Sequence, residues 1–142
     1  MDVMNWRKVR SDLYSAGQPA PNEWQDIRNA GVRTVLNLRP DSEQPGFDES
    51  TLVERTGMRY IQLPVASGNS INLDCIRHFT DLITQYGKDG LLIHCGSGNR
   101  VGALLALEQH FYKGASIADA IAFGRKAGLT GLESRVHELF VG

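Results

Sequence analysis

Two residues with complementary chemistry, Cys95 and Arg100, lie five positions apart in the stretch His94-Cys95-Gly96-Ser97-Gly98-Asn99-Arg100. The two glycines between them permit backbone conformations in which successive N–H groups turn toward one point. An arginine side chain can hold two oxygens of a phosphate at once. Such a positive site also favours the thiolate form of a cysteine, which is the nucleophilic form. The stretch therefore predicts that an oxyanion is bound there and attacked by Cys95.

The elements around residues 95–100, which we call the 95–100 loop, agree with this interpretation. Residues 91–94 form an apolar run bounded by turn residues, which predicts a buried central strand, and residues 101–112 have the pattern of a helix. A strand that enters the loop and a helix that leaves it place free helical N–H groups and the positive end of the helix dipole beside the oxyanion.

The other polar residues of this stretch each have two interpretations. His94 either tunes the Cys95 thiol or is a hydrogen-bonded core histidine at the end of a strand. Ser97 and Asn99 either line the mouth of the loop or only form its turn. The second cysteine, Cys75, lies in a predicted helix without comparable neighbours, so we expect it to have no role in chemistry.

Hydrophobic patterning along the chain alternates between short strand-like runs and longer helix-like ones. Asn22 is the predicted N-cap of the first helix, with Gln25 as its capping-box partner. Strands separated by helices predict an α/β fold with a mostly parallel sheet of four to five strands and helices on both faces. Such sheets hold their sites beyond the carboxyl ends of strands. The predicted strands are residues 13–17, 33–38, 59–65 and 91–94, and the predicted helices are residues 22–30, 48–56, 73–86, 101–112, 116–127 and 132–140.

Length and composition narrow the class of protein. The chain has 142 residues, 42% of them hydrophobic and 22% charged, which predicts a single domain over residues 1–142. The net charge of -1 offers no basic surface for nucleic acid or an anionic membrane, so we expect a soluble partner or a small substrate. No apolar run approaches the roughly 18 residues of a membrane span. Residues 1–10 also lack the apolar segment of a secretory signal, so we expect a cytoplasmic protein.

His94 and the 95–100 loop together resemble the signature loop of the protein tyrosine and dual-specificity phosphatases. Residues 13–19, Leu-Tyr-Ser-Ala-Gly-Gln-Pro, and residues 34–40, Thr-Val-Leu-Asn-Leu-Arg-Pro, resemble the amino-terminal half of small bacterial phosphatase-like domains. Within that group the chain is most similar to the beta-lactamase-hydrolase-like, or DUF442, subfamily, over nearly its whole length. The resemblance implies a fold like that of the dual-specificity phosphatases.

The resemblance also implies a mechanism and a substrate class. Cys95 attacks phosphorus and forms a thiophosphate intermediate, a carboxylic acid protonates the leaving oxygen, and water then cleaves the intermediate. No metal or organic cofactor is needed. The implied substrate is a phosphorylated protein or small molecule, with phosphotyrosine or aryl phosphates favoured. The phosphoryl oxygens are held by the Arg100 side chain and by the N–H groups of Gly96, Ser97, Gly98, Asn99 and Arg100.

Two departures from the family pattern lie in the loop itself. Four residues separate Cys95 from Arg100, where the phosphatases have five, so the loop presents one fewer N–H group. Val101 stands where the family has a serine or threonine, whose hydroxyl helps the cysteine to leave. We expect the shorter ring to fit the phosphate differently, and Val101 cannot donate a hydrogen bond to the leaving sulfur.

A third departure concerns the general acid. The family carries its acid in the loop that here spans residues 66–72, which contains no carboxylate. We therefore rank Asp41 and Glu43, in the neighbouring polar loop, ahead of Asp74 in the first turn of the next helix. An enzyme without a protein acid would favour substrates with good leaving groups, such as aryl phosphates.

Two other functions remain open at this stage. A rhodanese-like sulfurtransferase, which carries a persulfide on its cysteine, also uses a short loop at a strand end, and a loop of this length does not distinguish it from a phosphatase. A non-catalytic phosphate-binding module would account for Val101 and the missing acid but would not need the Cys95 thiol. The physiological substrate and the oligomeric state are not written in the sequence.

Overall fold

Five short strands form one sheet in the computed structural model, which describes residues 1–141. The strand order is β1-β2-β5-β3-β4, with β1 antiparallel to β2 and every other neighbouring pair parallel. This arrangement confirms the expected α/β fold with a mostly parallel sheet. The strands are β1 (Arg7–Arg10), β2 (Leu13–Ala16), β3 (Thr34–Asn37), β4 (Arg59–Gln62) and β5 (Leu91–His94).

Six helices in the described part of the chain connect and cover the strands. None of the helices within residues 1–141 is long and apolar enough to cross a membrane. Two short 3-10 turns, Asp41–Glu43 and Gly68–Ser70, lie in the loops that follow β3 and β4. The helices are α1 (Trp24–Asn29), α2 (Glu49–Arg55), α3 (Leu73–Tyr86), α4 (Asn99–Lys113), α5 (Ile117–Ala127) and α6 (Glu133–Val141).

The hydrophobic core lies in two layers, one on each face of the sheet. Because successive side chains of a strand point to opposite faces, Leu92 packs on one side of β5, while Leu91 and Ile93 pack on the other. The Leu92 layer contains Trp24 of α1 and part of α2. The opposite layer contains Leu104 of α4 together with α3, α5 and α6. The sheet is therefore covered on both faces, as expected of parallel strands.

Strand β5 lies between β2 and β3, and its last residue sets the position of the site. His94 is in register with Ala16 of β2 and with Asn37 of β3. Since these three strands are parallel, the loops that follow them begin at the same edge of the sheet. This edge brings residues 17–19, residues 38–44 and the 95–100 loop together.

Three local predictions need correction. Strand β1 was not predicted, because only Val9 of its four residues is buried and the others are charged, as suits an edge strand. Asn22 is not the N-cap of α1; Glu23 holds that place, because a turn from Ala20 to Glu23 precedes the helix. Helix α4 begins two residues earlier than predicted, since the left-handed backbone of Gly98 makes the turn directly.

Helices α4 and α5 cross with their backbones almost in contact. A Cβ atom at Gly102 of α4 would lie 2.6 Å from the carbonyl oxygen of Gly124 in α5. A Cβ atom at Gly124 would in turn lie 2.7 Å from the carbonyl oxygen of Gly102. Because both facing residues are glycines, the buried helix α4, which begins at the 95–100 loop, can approach α5 closely.

We expect Gly102→Ala to destabilise the protein by about 1 to 3 kcal/mol, because the new methyl group meets backbone atoms that cannot rotate away. Urea unfolding measures the change. The matched control is Gly46→Ala, at a position with no atom within 4 Å of the added Cβ, where we expect a change within about 0.5 kcal/mol. Equal stability of Gly102→Ala and the wild type would contradict the close crossing.

Candidate active site

The 95–100 loop places a buried thiol next to a backbone donor. Cys95 follows β5 directly and is 1% exposed. Gly98 has a φ of 103°, in the left-handed region that favours glycine, and its N–H donates to the Cys95 Sγ at 3.1 Å. Helix α4 starts at the next residue, so its N-terminus also faces this part of the loop. The loop therefore presents a backbone donor and a helix N-terminus on the side where the sulfur lies.

Residues near the amino terminus support the outer side of this loop. A Cβ atom at Gly98 would lie 2.7 Å from Nη1 of Arg7, and one at Gly128 would lie 2.9 Å from the same atom. The Asn5 side chain donates to the carbonyl oxygen of Ser97 at 2.9 Å. The sequence analysis assigned no role to either residue, because no local pattern connects them with a loop more than 90 positions away.

One edge of the Arg100 guanidinium is hydrogen-bonded to the protein, and the other edge can bind a substrate. Its Nη1 and Nη2 donate to the two carboxylate oxygens of Glu43 at 3.1 and 2.8 Å, and Nη1 also donates to the carbonyl oxygen of Val65 at 2.7 Å. Among the described residues these bonds use three of the five N–H groups of a guanidinium. The remaining Nε–H and Nη2–H form the edge suited to two phosphoryl oxygens. Nη2 lies 3.4 Å from the position that a Cβ of Gly96 would take, so the side chain lies over the loop.

The charges of Arg100 and Glu43 stabilise each other. Hydrogen bonds from Arg100 hold the pKa of Glu43 below its ordinary value, although partial burial opposes this and the charges of Arg100 and Arg39 add to it. Burial would lower the pKa of Arg100, but Glu43 and the Cys95 sulfur raise it. Glu43 is therefore a carboxylate at neutral pH, and the pairing favours a role in positioning Arg100 over that of proton donor.

The other two acid candidates have different surroundings. Asp41 is exposed and accepts a hydrogen bond from Gln62 at 3.1 Å. Asp74 lies in the first turn of α3, 91% exposed and 3.6 Å from Arg77. A pocket of about 200 Å³ includes Asp41 but neither Cys95 nor Arg100; its lining residues are Asp41, Gln44, Phe47, Asp48, Glu49, Ser50, Tyr60 and Gln62.

Three further residues of the loop region have different surroundings. The Asn99 side-chain oxygen accepts from the N–H groups of Thr130 and Leu132 and so ties the loop to the segment before α6, while the expected substrate contact is the Asn99 backbone N–H. Ser97 is exposed at the mouth of the loop. Val101 is fully buried in the core and has no hydroxyl that could donate to the sulfur.

His94 is both buried and in contact with the loop. Its Nε2 lies 2.7 Å from Glu49, with side-chain exposures of 0% and 2%, and its Nδ1 lies 3.4 Å from the carbonyl oxygen of Cys95. Gln18 donates to the other oxygen of Glu49 at 2.6 Å. Burial would raise the pKa of Glu49, but the hydrogen bond and charge of His94 and the Gln18 donor lower it below its ordinary value.

The sequence analysis did not single out Glu49. A glutamate in the first turn of a helix usually lies in solvent and complements the helix dipole, so no local signal predicts its burial. The position of Gln18, two residues after the end of β2, which pairs with β5, is a sequence signal that places it near the loop. Arg39 follows β3 in the same way and donates to the Gln18 side chain at 2.7 Å.

Most of the chain matches one known family. The family described as "Beta-lactamase hydrolase-like protein, phosphatase-like domain" matches residues 5–112. The chain belongs to this family. The match confirms the resemblance to the DUF442 subfamily that the 95–100 loop and the two earlier motifs indicated.

Individual relatives of this phosphatase-like domain agree with that assignment. The Beta-lactamase hydrolase-like protein of Xylella fastidiosa (strain Temecula1) is 36% identical over 105 residues, covering 71% of this chain and 24% of that protein. The chain spans about a quarter of the length of the curated relatives it matches. The family assignment therefore concerns one domain of those longer proteins.

Solved structures share the fold of this phosphatase-like domain at low sequence identity. A DUF442 protein from Shewanella putrefaciens CN-32 superimposes with a TM-score of 0.77 at 24% identity, covering 99% of this chain and 93% of that one. TpbA from P. aeruginosa, solved in complex with phosphotyrosine, has a TM-score of 0.77 at 16% identity, with 98% and 84% covered. Both likenesses show the fold.

The buried Glu49 predicts a specific dependence of stability on acid. Its lowered pKa means that its stabilisation is complete above the unfolded-state value near 4.5 and is lost as the pH falls through the lower folded-state value. We expect the free energy of unfolding of the wild type to fall more steeply below that pH than that of Glu49→Gln. Urea unfolding between pH 6 and acidic pH measures both. Parallel curves for the two proteins would contradict an ionised, hydrogen-bonded Glu49.

Proposed function

We propose that this protein is a cysteine-dependent phosphatase that hydrolyses phosphate monoesters through a thiophosphate intermediate on Cys95, with aryl phosphates such as phosphotyrosine favoured. The family supports a phosphatase-like domain. The observation that carries the proposal is the arrangement of one loop, in which the Gly98 N–H meets the Cys95 sulfur and the open edge of Arg100 lies over Gly96. These groups match the needs of a phosphoryl group under attack.

The chemistry proceeds in two displacements. The Cys95 thiolate attacks phosphorus, so that an S–P bond forms and the bond from phosphorus to the ester oxygen breaks. Arg100 and the N–H groups of the loop carry the charge on the other phosphoryl oxygens during this step. Water then attacks phosphorus, the S–P bond breaks, and inorganic phosphate leaves as the thiolate is restored.

Leaving groups decide which esters react. Glu43 is held as a carboxylate by Arg100, and Asp41 lines a pocket that does not include Cys95. A reaction that proceeds without a protein acid favours esters whose alcohol leaves readily, as phenols do. TpbA, a protein of the same fold, has been solved in complex with phosphotyrosine, which makes phosphotyrosine the first physiological aryl phosphate to test.

A second function, sulfur transfer, has its own supporting observations. The loop has four residues between Cys95 and Arg100, and the buried Val101 offers no hydroxyl to help a phosphorylated cysteine to leave. In this reaction the thiolate attacks the outer sulfur of thiosulfate, an S–S bond forms and sulfite leaves. Cyanide then takes that sulfur as thiocyanate and restores the thiolate.

The decisive experiment assays the purified protein with 4-nitrophenyl phosphate and, in parallel, with thiosulfate and cyanide. We expect phosphate release by the wild type and its complete loss in Cys95→Ser, because the serine hydroxyl is a far weaker nucleophile than a thiolate. Cys75→Ser is the matched control and should keep full activity. Thiocyanate formation without phosphate release would replace the phosphatase proposal with sulfur transfer, and activity that survives Cys95→Ser would reject both.

A pH profile distinguishes positioning by Glu43 from acid catalysis. We expect Glu43→Gln to lower kcat/KM for 4-nitrophenyl phosphate about tenfold to a hundredfold at every pH, since Arg100 loses the carboxylate that orients it. The alkaline limb of the profile, where kcat/KM falls as the pH rises, should keep its shape. A profile in which only the descending alkaline limb disappears would make Glu43 the acid, and the same result for Asp41→Asn would make Asp41 the acid.

A further inference from the structure

A continuous series of polar side chains runs behind the 95–100 loop, from the residue before the nucleophile to the arginine at its other end. It begins at the buried pair of His94 and Glu49, 2.7 Å apart. A carboxylate at this depth is costly unless its oxygens are hydrogen-bonded. Glu49 meets that requirement with two donors, because Gln18 also donates to it at 2.6 Å.

The series continues from Gln18 to the carboxylate that holds Arg100. The Gln18 side-chain oxygen accepts from Nη1 of Arg39 at 2.7 Å. Nε of Arg39 lies 3.7 Å from Oε1 of Glu43, the same oxygen that accepts from Arg100 at 2.8 Å. These side chains thus connect the two ends of the loop without any backbone group. We call them the relay: His94, Glu49, Gln18, Arg39 and Glu43.

We propose that Glu49 is a positioning residue, which orients the loop peptides beside Cys95 through His94 and Gln18 and is linked to Arg100 through the rest of the relay. The proposal rests on the proposed function of Cys95 and Arg100, and it assigns a role to a residue outside the signature loop. Glu49 does not contact the reacting atoms, so its effect passes through its neighbours.

The contacts of the relay with the loop backbone explain how this effect arises. His94 Nδ1 lies against the carbonyl oxygen of Cys95 at 3.4 Å, and the Gln18 backbone N–H donates to the carbonyl oxygen of Gly96 at 3.3 Å. In a trans peptide the N–H points opposite to the C=O of the same unit. The Gln18 N–H thereby holds the Gly96 carbonyl group on the relay side, which directs the N–H group of Ser97 away from the relay.

The chemistry of a carboxylate explains why a glutamate stands at this position. Two donors, His94 Nε2–H and the Gln18 amide, converge on Glu49, and a carboxylate has only acceptor sites. A glutamine in its place has one acceptor oxygen and one NH₂ group, so it accepts from only one of these two groups and carries no charge. Glu49→Gln keeps the size of the side chain and breaks the relay at a defined point.

The test measures the reactivity of the thiol and catalysis in the same set of proteins. Iodoacetamide modification of Cys95, followed by mass spectrometry of its peptide, reports the loop without any assumption about substrate. Cys75, a half-buried thiol whose pKa is raised by burial, serves as an internal reference in each sample. The variants are Glu49→Gln, Gln18→Ala, His94→Asn and the double change of Glu49 and His94. Glu54→Gln, on an exposed position of the same helix, is the matched control.

We expect Glu49→Gln to slow Cys95 modification at neutral pH and to lower kcat about tenfold or more, somewhat less than the loss of an oxyanion donor itself. KM should change much less than kcat. In the His94→Asn background, Glu49→Gln should add little, because both changes break the same path. Glu54→Gln should behave like the wild type.

Other results would overturn the proposal or separate it from the proposed function. Unchanged thiol reactivity and kcat in Glu49→Gln, with only a lower unfolding midpoint, would make Glu49 purely structural. Additive losses in the double variant would also reject the path through His94. If Glu49→Gln does not fold, Gln18→Ala alone and combined with His94→Asn decides by the same criteria. A wild type without phosphatase activity would reject the proposed function, while the modification rates would still decide the role of Glu49.

Discussion

The connection between β5 and α4 constrains the rest of this structure, because a fully buried central strand must pass into a buried helix within four residues. The left-handed backbone of Gly98 makes that turn possible and directs its N–H to the Cys95 sulfur. Arg7 occupies the space in which a side chain at position 98 would stand. The backbone crossing at Gly102 then lets α4 continue into the core. Packing and reactivity thus depend on the same turn.

A single segment of chain, residues 41–49, supplies a carboxylate partner for a polar side chain at each end of the 95–100 loop. Glu43 meets Arg100, and Glu49 meets His94. The segment leaves β3 and enters α2, so it passes the sheet edge at which β5 ends. Buried or half-buried charges without partners would cost several kcal/mol each. The guanidinium and the buried histidine can therefore lie near the same thiol only because this segment places a carboxylate next to each of them.

Under the proposed mechanism, the loop offers more groups to the attack by sulfur than to the steps that follow. A backbone N–H, a helix N-terminus and the open edge of Arg100 surround the place where charge develops on an oxyanion. Fewer groups serve the later steps: Glu43 pairs with Arg100, and Val101 has no hydroxyl that could help the cysteine to leave. This asymmetry is the physical reason that good leaving groups are central to the proposed reaction.

The sequence by itself determined the features that depend on near neighbours: the strand at residues 91–94, the helix at residues 73–86, and the spacing of Cys95 and Arg100. These features can be predicted from hydrophobic periodicity and from the residues of one short loop, because they depend only on residues close in sequence. Edge strand β1 was missed because its polar residues make sense only at the rim of a sheet. The tertiary structure alone decided the partner of Arg100, 57 positions away, and the burial of Glu49, 45 positions from His94. Such pairs form only once the order of parallel strands brings distant loops to one edge, and no local pattern encodes that order.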